Sequence, residues 1–144
     1  MRNYINRQVI LPGSTIFLSI LVVGFAFAQE RVLHSDVLLR SSEAWNGSPY
    51  LAYPDGAPEL SVLKITIPPN SQLPWHTHPI PNAAYVLSGT LTVEDKTTGQ
   101  QKIITQGQVL SEMVGQLHRG ITGGEEAVLI VFYAGAKDIP LSQR

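Results

Sequence analysis

Two rhythms of apolar residues divide this chain. Near its start they run almost without a break, most densely over Ile16-Phe17-Leu18-Ser19-Ile20-Leu21-Val22-Val23-Gly24-Phe25. From residue 60 onward they alternate with polar residues, the period of a half-buried strand. Residues 60–67 (LSVLKITI) place Leu63, Ile65 and Ile67 on one face, and Pro68-Pro69-Asn70 ends the run because proline donates no ladder hydrogen bond. The same reasoning predicts strands over 83–87, 91–94, 102–105, 109–114 and 127–133. Ser88-Gly89, Asp95-Lys96-Thr97-Thr98-Gly99, Gln106-Gly107 and Thr122-Gly123-Gly124 supply the turns between them. Residues 91–105 read as a hairpin with a Lys-Thr-Thr-Gly tip. After residue 30 no helix is predicted, since the one turn that Ser41-Ser42-Glu43-Ala44-Trp45 could form stops at Asn46-Gly47-Ser48-Pro49. Six or more short strands with regular turns predict an all-β fold, a small antiparallel β-barrel or double-sheet sandwich.

The first rhythm has a different meaning. Arg2 and Arg7 precede the apolar run, and Ala26-Phe27-Ala28 follows it before polar Gln29-Glu30-Arg31. A positive start, a short apolar helix and a small-x-small site make a secretory signal peptide, with cleavage expected after Ala28. An uncleaved anchor over residues 9–28 is the rival reading, being just long enough to span a bilayer. The expected division is thus a signal peptide at 1–28 and a single β domain at 29–144, exported to the periplasm or secreted. After cleavage no stable membrane insertion is expected.

Composition narrows the function classes. Hydrophobic residues are 44% and charged residues 15%, with a formal charge of −1, which excludes a disordered polyelectrolyte and gives no basic footprint for nucleic acid. Cleavage at Ala28 would remove two of the ten basic residues and none of the eleven acids, Arg2 and Arg7 being those two. The absence of cysteine removes disulfides, thiolate ligands and a cysteine nucleophile together. Ser71 and Ser111 lack the glycine context of a nucleophile elbow, and Gly123-Gly124 lacks the strand and helix that a phosphate cradle needs.

Four histidines remain: His34, His76, His78 and His118. A lone histidine is ordinarily a solvated loop residue, and His34 is read so. His76 and His78 stand at i and i+2 in an extended stretch, so both rings share a face. His118 follows a glycine turn at another strand end. An unpartnered buried polar group costs about 2–7 kcal/mol. Three inward-facing imidazoles therefore call for a shared partner, and a first-row metal ion with open coordination positions supplies it.

These residues carry a resemblance to the cupins. Residues 69–89 resemble the first cupin motif, G-x5-H-x-H-x3,4-E-x6-G, with Asn70 at the first glycine, His76 and His78 at the histidines and Gly89 at the last glycine. Residues 107–122 resemble the second, G-x5-P-x-G-x2-H-x3-N, with Gly107, Gly115 and His118 in register. The resemblance implies a cupin-type barrel or jelly roll with a metal site in one mouth, loaded with iron, manganese, nickel, copper or zinc. It also implies dioxygenase, isomerase or decarboxylase chemistry on a small molecule, or plain metal or ligand binding, and pairing of two copies through edge strands. Three positions depart from the motifs: Asn82 stands where the family has its glutamate ligand, Met113 replaces the proline and Thr122 the asparagine. Asn82 is then a weaker, neutral fourth ligand. An ion held by three neutral histidines keeps its full charge, which favours anionic or chelating ligands and acidifies bound water.

One acid stands ready to compensate. Strand parity puts Leu110 and Glu112 on one face and Val109, Ser111 and Met113 on the other, and the family resemblance turns the Glu112 face inward. Glu112 is then a general base, a partner of a liganding histidine or a substitute ligand; on the opposite orientation it is a surface carboxylate. Trp75, Tyr85, Phe132 and Tyr133 read as barrel-wall packing, some of them beside a ligand. Pro79-Ile80-Pro81 reads as a stiff spacer that fixes the approach to Asn82.

Overall fold

The computed structural model describes residues 32–144, so the expected signal peptide and its helix lie outside the described residues. Ser35–Arg144 fold as one compact unit. Seven strands follow one another: β1 (Pro58–Ile67), β2 (Asn82–Ser88), β3 (Thr90–Asp95), β4 (Gln101–Thr105), β5 (Val109–Ser111), β6 (His118–Ile121) and β7 (Ala127–Ala136). They form a four-stranded sheet in the order β1-β7-β2-β5 and a three-stranded sheet in the order β4-β3-β6, with every pairing antiparallel. Among the described residues there is no helix, and so none long and apolar enough to cross a membrane. The all-β double-sheet architecture read from the alternation is the observed one.

Alternation decides which residues meet. In β1 the faces separate as predicted, with Ile67 buried and Leu63 and Ile65 packed against the core, while Leu60 and Val62 remain exposed. Ala84 and Val86 of β2, Leu91 and Val93 of β3 and Leu129 and Val131 of β7 complete a core drawn from both sheets. The predicted hairpin is β3–β4. Asp95 caps its tip by accepting the Thr97 amide at 2.8 Å, and Gly99 takes a left-handed φ of 70°. Asn70, at the first motif glycine, also adopts a left-handed φ of 53°, a conformation that asparagine tolerates better than most residues.

Three features differ from the sequence reading. The strand predicted over 109–114 ends at Ser111: its ladder with β2 pairs Val109–Ser111 with Tyr85–Ala83, and past it the Glu112 amide makes one more bond to β2, at the Asn82 carbonyl. Beyond it, Val114 makes an isolated bridge to His78. Strand β6 went unpredicted: four residues, His-Arg-Gly-Ile, give too little alternation to read. Phe132 is not interior packing but sits on the outer face of β7, opposite Val62 and Ala83.

Gly89 joins β2 to β3 with a φ of 79°, and a Cβ there would lie 2.1 Å from the Glu126 carbonyl oxygen. Gly99 has a similar φ but open space around it. Gly99→Ala should therefore cost about 1 kcal/mol from backbone conformation alone. Gly89→Ala should cost at least about 2 kcal/mol, because backbone must also move. Urea midpoints of the two variants check this, and equal losses would refute the steric account.

Candidate metal centre

Main-chain pairing, not side-chain packing, brings the histidines together. The His76 amide donates to the His118 carbonyl at 3.0 Å and the His118 amide returns the bond to His76 at 2.9 Å. His78, two residues on, is held where its carbonyl accepts the Gly115 amide at 2.8 Å. The ring centroids of His76, His78 and His118 consequently stand 4.5–5.0 Å apart. One ring nitrogen from each falls within 4.8 Å of the others. His34 is not one of this set.

Each ring is also fixed in tautomer. Nδ1 of His76 donates to the Pro74 carbonyl at 2.9 Å, that of His78 to Leu141 at 2.7 Å and that of His118 to Gln116 at 2.9 Å. A carbonyl oxygen only accepts, so the proton sits on Nδ1 and Nε2 keeps its lone pair. Burial pushes the His78 pKa down to about 4; the carbonyl of Leu141 opposes that shift and the neighbouring histidines add to it. His118 is lowered to about 4 by the same chief cause. Both are neutral ligands at pH 7, and the buried Nε2 of His118 has no hydrogen-bond partner. Three oriented imidazoles, one of them with an orphaned lone pair, fit a divalent metal ion.

Glu112 lies where strand parity put it when the inward orientation is taken. Its side chain is buried, with Oε2 3.4 Å from His118 Nε2, yet neither atom makes a hydrogen bond. Burial pushes its pKa up to about 7. Its backbone is held on two sides: its amide donates to the Asn82 carbonyl at 3.1 Å, and its carbonyl accepts the Tyr50 hydroxyl at 2.7 Å. His76, His78, His118, Glu112 and Tyr133 line one cavity of about 250 Å³, walled by Leu63, Ile65, Leu129 and Val131. Burial raises the Tyr133 phenol to about 12, so it stays neutral, with its ring 5.6 Å from that of His78.

Asn82 pairs with Tyr133 across β2 and β7 and so shares its inward face; its side chain is buried, with Nδ2 donating to the Ile80 carbonyl at 3.2 Å and Oδ1 accepting no hydrogen bond. Thr122, at the motif asparagine, straps the turn before His76 by donating to the Pro68 carbonyl at 2.6 Å and accepting the Ser71 amide at 3.0 Å. Trp75 faces away from the cavity chemistry, with the Arg119 guanidinium 4.4 Å and the Lys96 ammonium 5.6 Å from its ring centre.

Sequence reasoning missed the C-terminal segment. Thr77 and Gln143 exchange two main-chain hydrogen bonds of 2.9 Å, which lays Leu141, Ser142 and Arg144 along the cavity wall. Nothing local marks this segment, because its register depends on a partner 66 residues away. Tyr133, read from the sequence as one of the wall aromatics of which some stand beside a ligand, continues the inward series of Leu129 and Val131.

These shifts give metal-free protein a defined pH dependence. Unfolded, His78 and His118 bind protons near 6.5, but folded only near 4. The unfolded state holds more protons across that window, so stability falls as pH drops from 6.5 to 4, by roughly 3 kcal/mol per histidine. Glu112 has the opposite sign: folded it keeps its proton up to about 7 against 4.5 unfolded, so its contribution is lost as pH rises through that range. Two histidines outweigh one carboxyl where the ranges overlap. Denaturant midpoints of chelator-treated protein should therefore fall below pH 6.5, and Glu112→Gln should steepen that fall. A flat profile would show that these rings are hydrated.

Comparison with known proteins agrees with this architecture. The family model of a cupin domain matches residues 63–133. A cupin-like protein from Thermotoga maritima superposes with a TM-score of 0.50 at 15% identity, over 58% of this chain and 62% of that one. The DMSP lyase DddQ from Ruegeria pomeroyi gives 0.53 at 16% identity, over 67% and 46%. The polyketide cyclase RemF from Streptomyces resistomycificus gives 0.53 at 24% identity, over 63% of each chain. No curated protein matches the sequence. The match spans less than two thirds of each of these structures, and at such identities they share the fold alone. By its family match, its double antiparallel sheet and its histidine motifs, the chain belongs to the cupins.

Proposed function

We propose that this cupin holds one divalent first-row metal ion on His76, His78 and His118 and is an enzyme of proton-transfer chemistry, isomerase-like, acting on a small anionic metabolite. The observation that carries the reading is the shared hydrogen-bond pattern of the three rings: each Nδ1–H is spent on a main-chain carbonyl, which leaves three Nε2 lone pairs for one ion. An ion so bound supplies Lewis acidity, polarising a substrate oxygen.

The chain's own groups supply the rest. Glu112, buried with Oε2 3.4 Å from His118 Nε2, stands where it can take and return a proton beside such an ion. Tyr133 offers a neutral phenol on the same wall, and Arg144 lines the cavity with a guanidinium suited to a carboxylate. Leu63, Ile65, Leu129 and Val131 keep the walls apolar, which strengthens each of these polar contacts. The N-terminal 28 residues, read as a removable export signal, support a place outside the cytoplasm.

Elemental analysis of full-length protein without a histidine tag tests the reading. Wild type should carry stoichiometric metal, and His76→Ala and His118→Ala should each lower occupancy by at least about tenfold. Glu112→Gln should keep the metal while abolishing exchange of substrate C–H protons with deuterated solvent. Full metal in both histidine variants would sink the site. Iron with oxygen uptake would replace the isomerase reading by a dioxygenase, and metal without any turnover would leave a binding protein.

A further inference from the structure

The four-stranded sheet has a second cavity, about 490 Å³, on the side away from the histidines. Register shows that the sides differ. Ala83 pairs with Ser111 on one flank and Phe132 on the other, so these three share a face, and all line this cavity. Their chain neighbours Glu112 and Tyr133 line the metal cavity instead. The opposite wall is the segment before β1, including Leu39, Tyr50, Leu51 and Tyr53. That wall is tied down: Trp45 donates its amide to the Ser111 carbonyl at 2.9 Å, and Tyr50 donates its hydroxyl to the Glu112 carbonyl at 2.7 Å.

Three observations indicate what it takes. Its volume lies within the range of about 300–1,000 Å³ typical of small-molecule sites. Large apolar side chains at its rim lack cover, with Leu51 92%, Tyr53 75% and Phe132 42% exposed. Among the described residues no charged side chain lines it, and its polar side chains include the hydroxyls of Ser41, Ser42, Tyr50 and Ser111, each with lone pairs able to accept a hydrogen bond. An ion would lose its hydration here without gaining a counter-charge. We propose that this cavity is a second ligand site, independent of the metal, for a small neutral molecule with an apolar body and one hydroxyl or N–H donor.

Binding of para-cresol, para-toluate and toluene to full-length, chelator-treated protein, followed by ligand-observed NMR, tests this. The neutral phenol should bind, with the carboxylate and the donor-free hydrocarbon each weaker by about tenfold or more. Ala83→Phe, which fills the floor, should weaken para-cresol by about tenfold, and Leu51→Ser, at an exposed position that folding does not need, by about threefold. His118→Ala should leave para-cresol binding unchanged, which separates this site from the metal reading. Absence of para-cresol binding would overturn the proposal. So would binding lost in His118→Ala but kept in Leu51→Ser and Ala83→Phe.

Discussion

The reciprocal main-chain bonds between His76 and His118 are the constraint on which the site depends. Side chains on separate loops would have to find one another by packing, and would drift by ångströms. Here the two residues are bridge partners, so their Cβ atoms start from a distance set by backbone geometry. His78 follows from the same bridge, because two residues along an extended chain returns to the same face. What the bridge cannot set is ring rotation. Three carbonyls do that, and two of them, Pro74 and Gln116, stand two residues before the histidine they orient.

Alternation along the strands then gives one sheet two separate surfaces. Ser111 and Glu112 are adjacent, as are Phe132 and Tyr133, yet each pair divides between an outer cavity lined, among the described residues, by no charged side chain and an inner one that holds the histidines and Glu112. A slip of one residue in the β2–β7 register would exchange the two sets. The ten-residue pairing of β1 with β7 opposes such a slip, since it would turn Leu129, Val131 and Tyr133 out of the core together.

What was legible in the sequence is what local rules specify. The hairpin tip, the inward faces of β1 and β7, the convergence of His76 with His78 and the two orientations open to Glu112 all follow from period-two alternation and turn residues. His118 was found through its motif rather than its strand. In β6 the inward position is Gly120, where a Cβ would meet Leu91 at 3.1 Å, so tight packing leaves no apolar residue to read. The strap of residues 41–53 and the tail at 141–144 were invisible for another reason. Their conformations depend on partners such as Glu112 for Tyr50 and His78 for Leu141, 62 and 63 residues distant.

The contact between Glu112 and His118 explains why the chain keeps a costly arrangement. With His118 protonated on Nδ1, its Nε2 lone pair faces Oε2 of a buried carboxyl 3.4 Å away, and neither atom has a hydrogen bond. Two unsatisfied acceptors side by side are worse than either alone, because low dielectric strengthens their repulsion. Only positive charge relieves both: a proton on the carboxyl, which its raised pKa already favours, or a cation held by the imidazoles. The two remedies compete, since a cation at Nε2 lowers the proton affinity of the carboxyl beside it. Were an ion captured at the imidazoles, it would favour release of that proton, and the freed carboxylate beside it would be the base that the proposed chemistry requires.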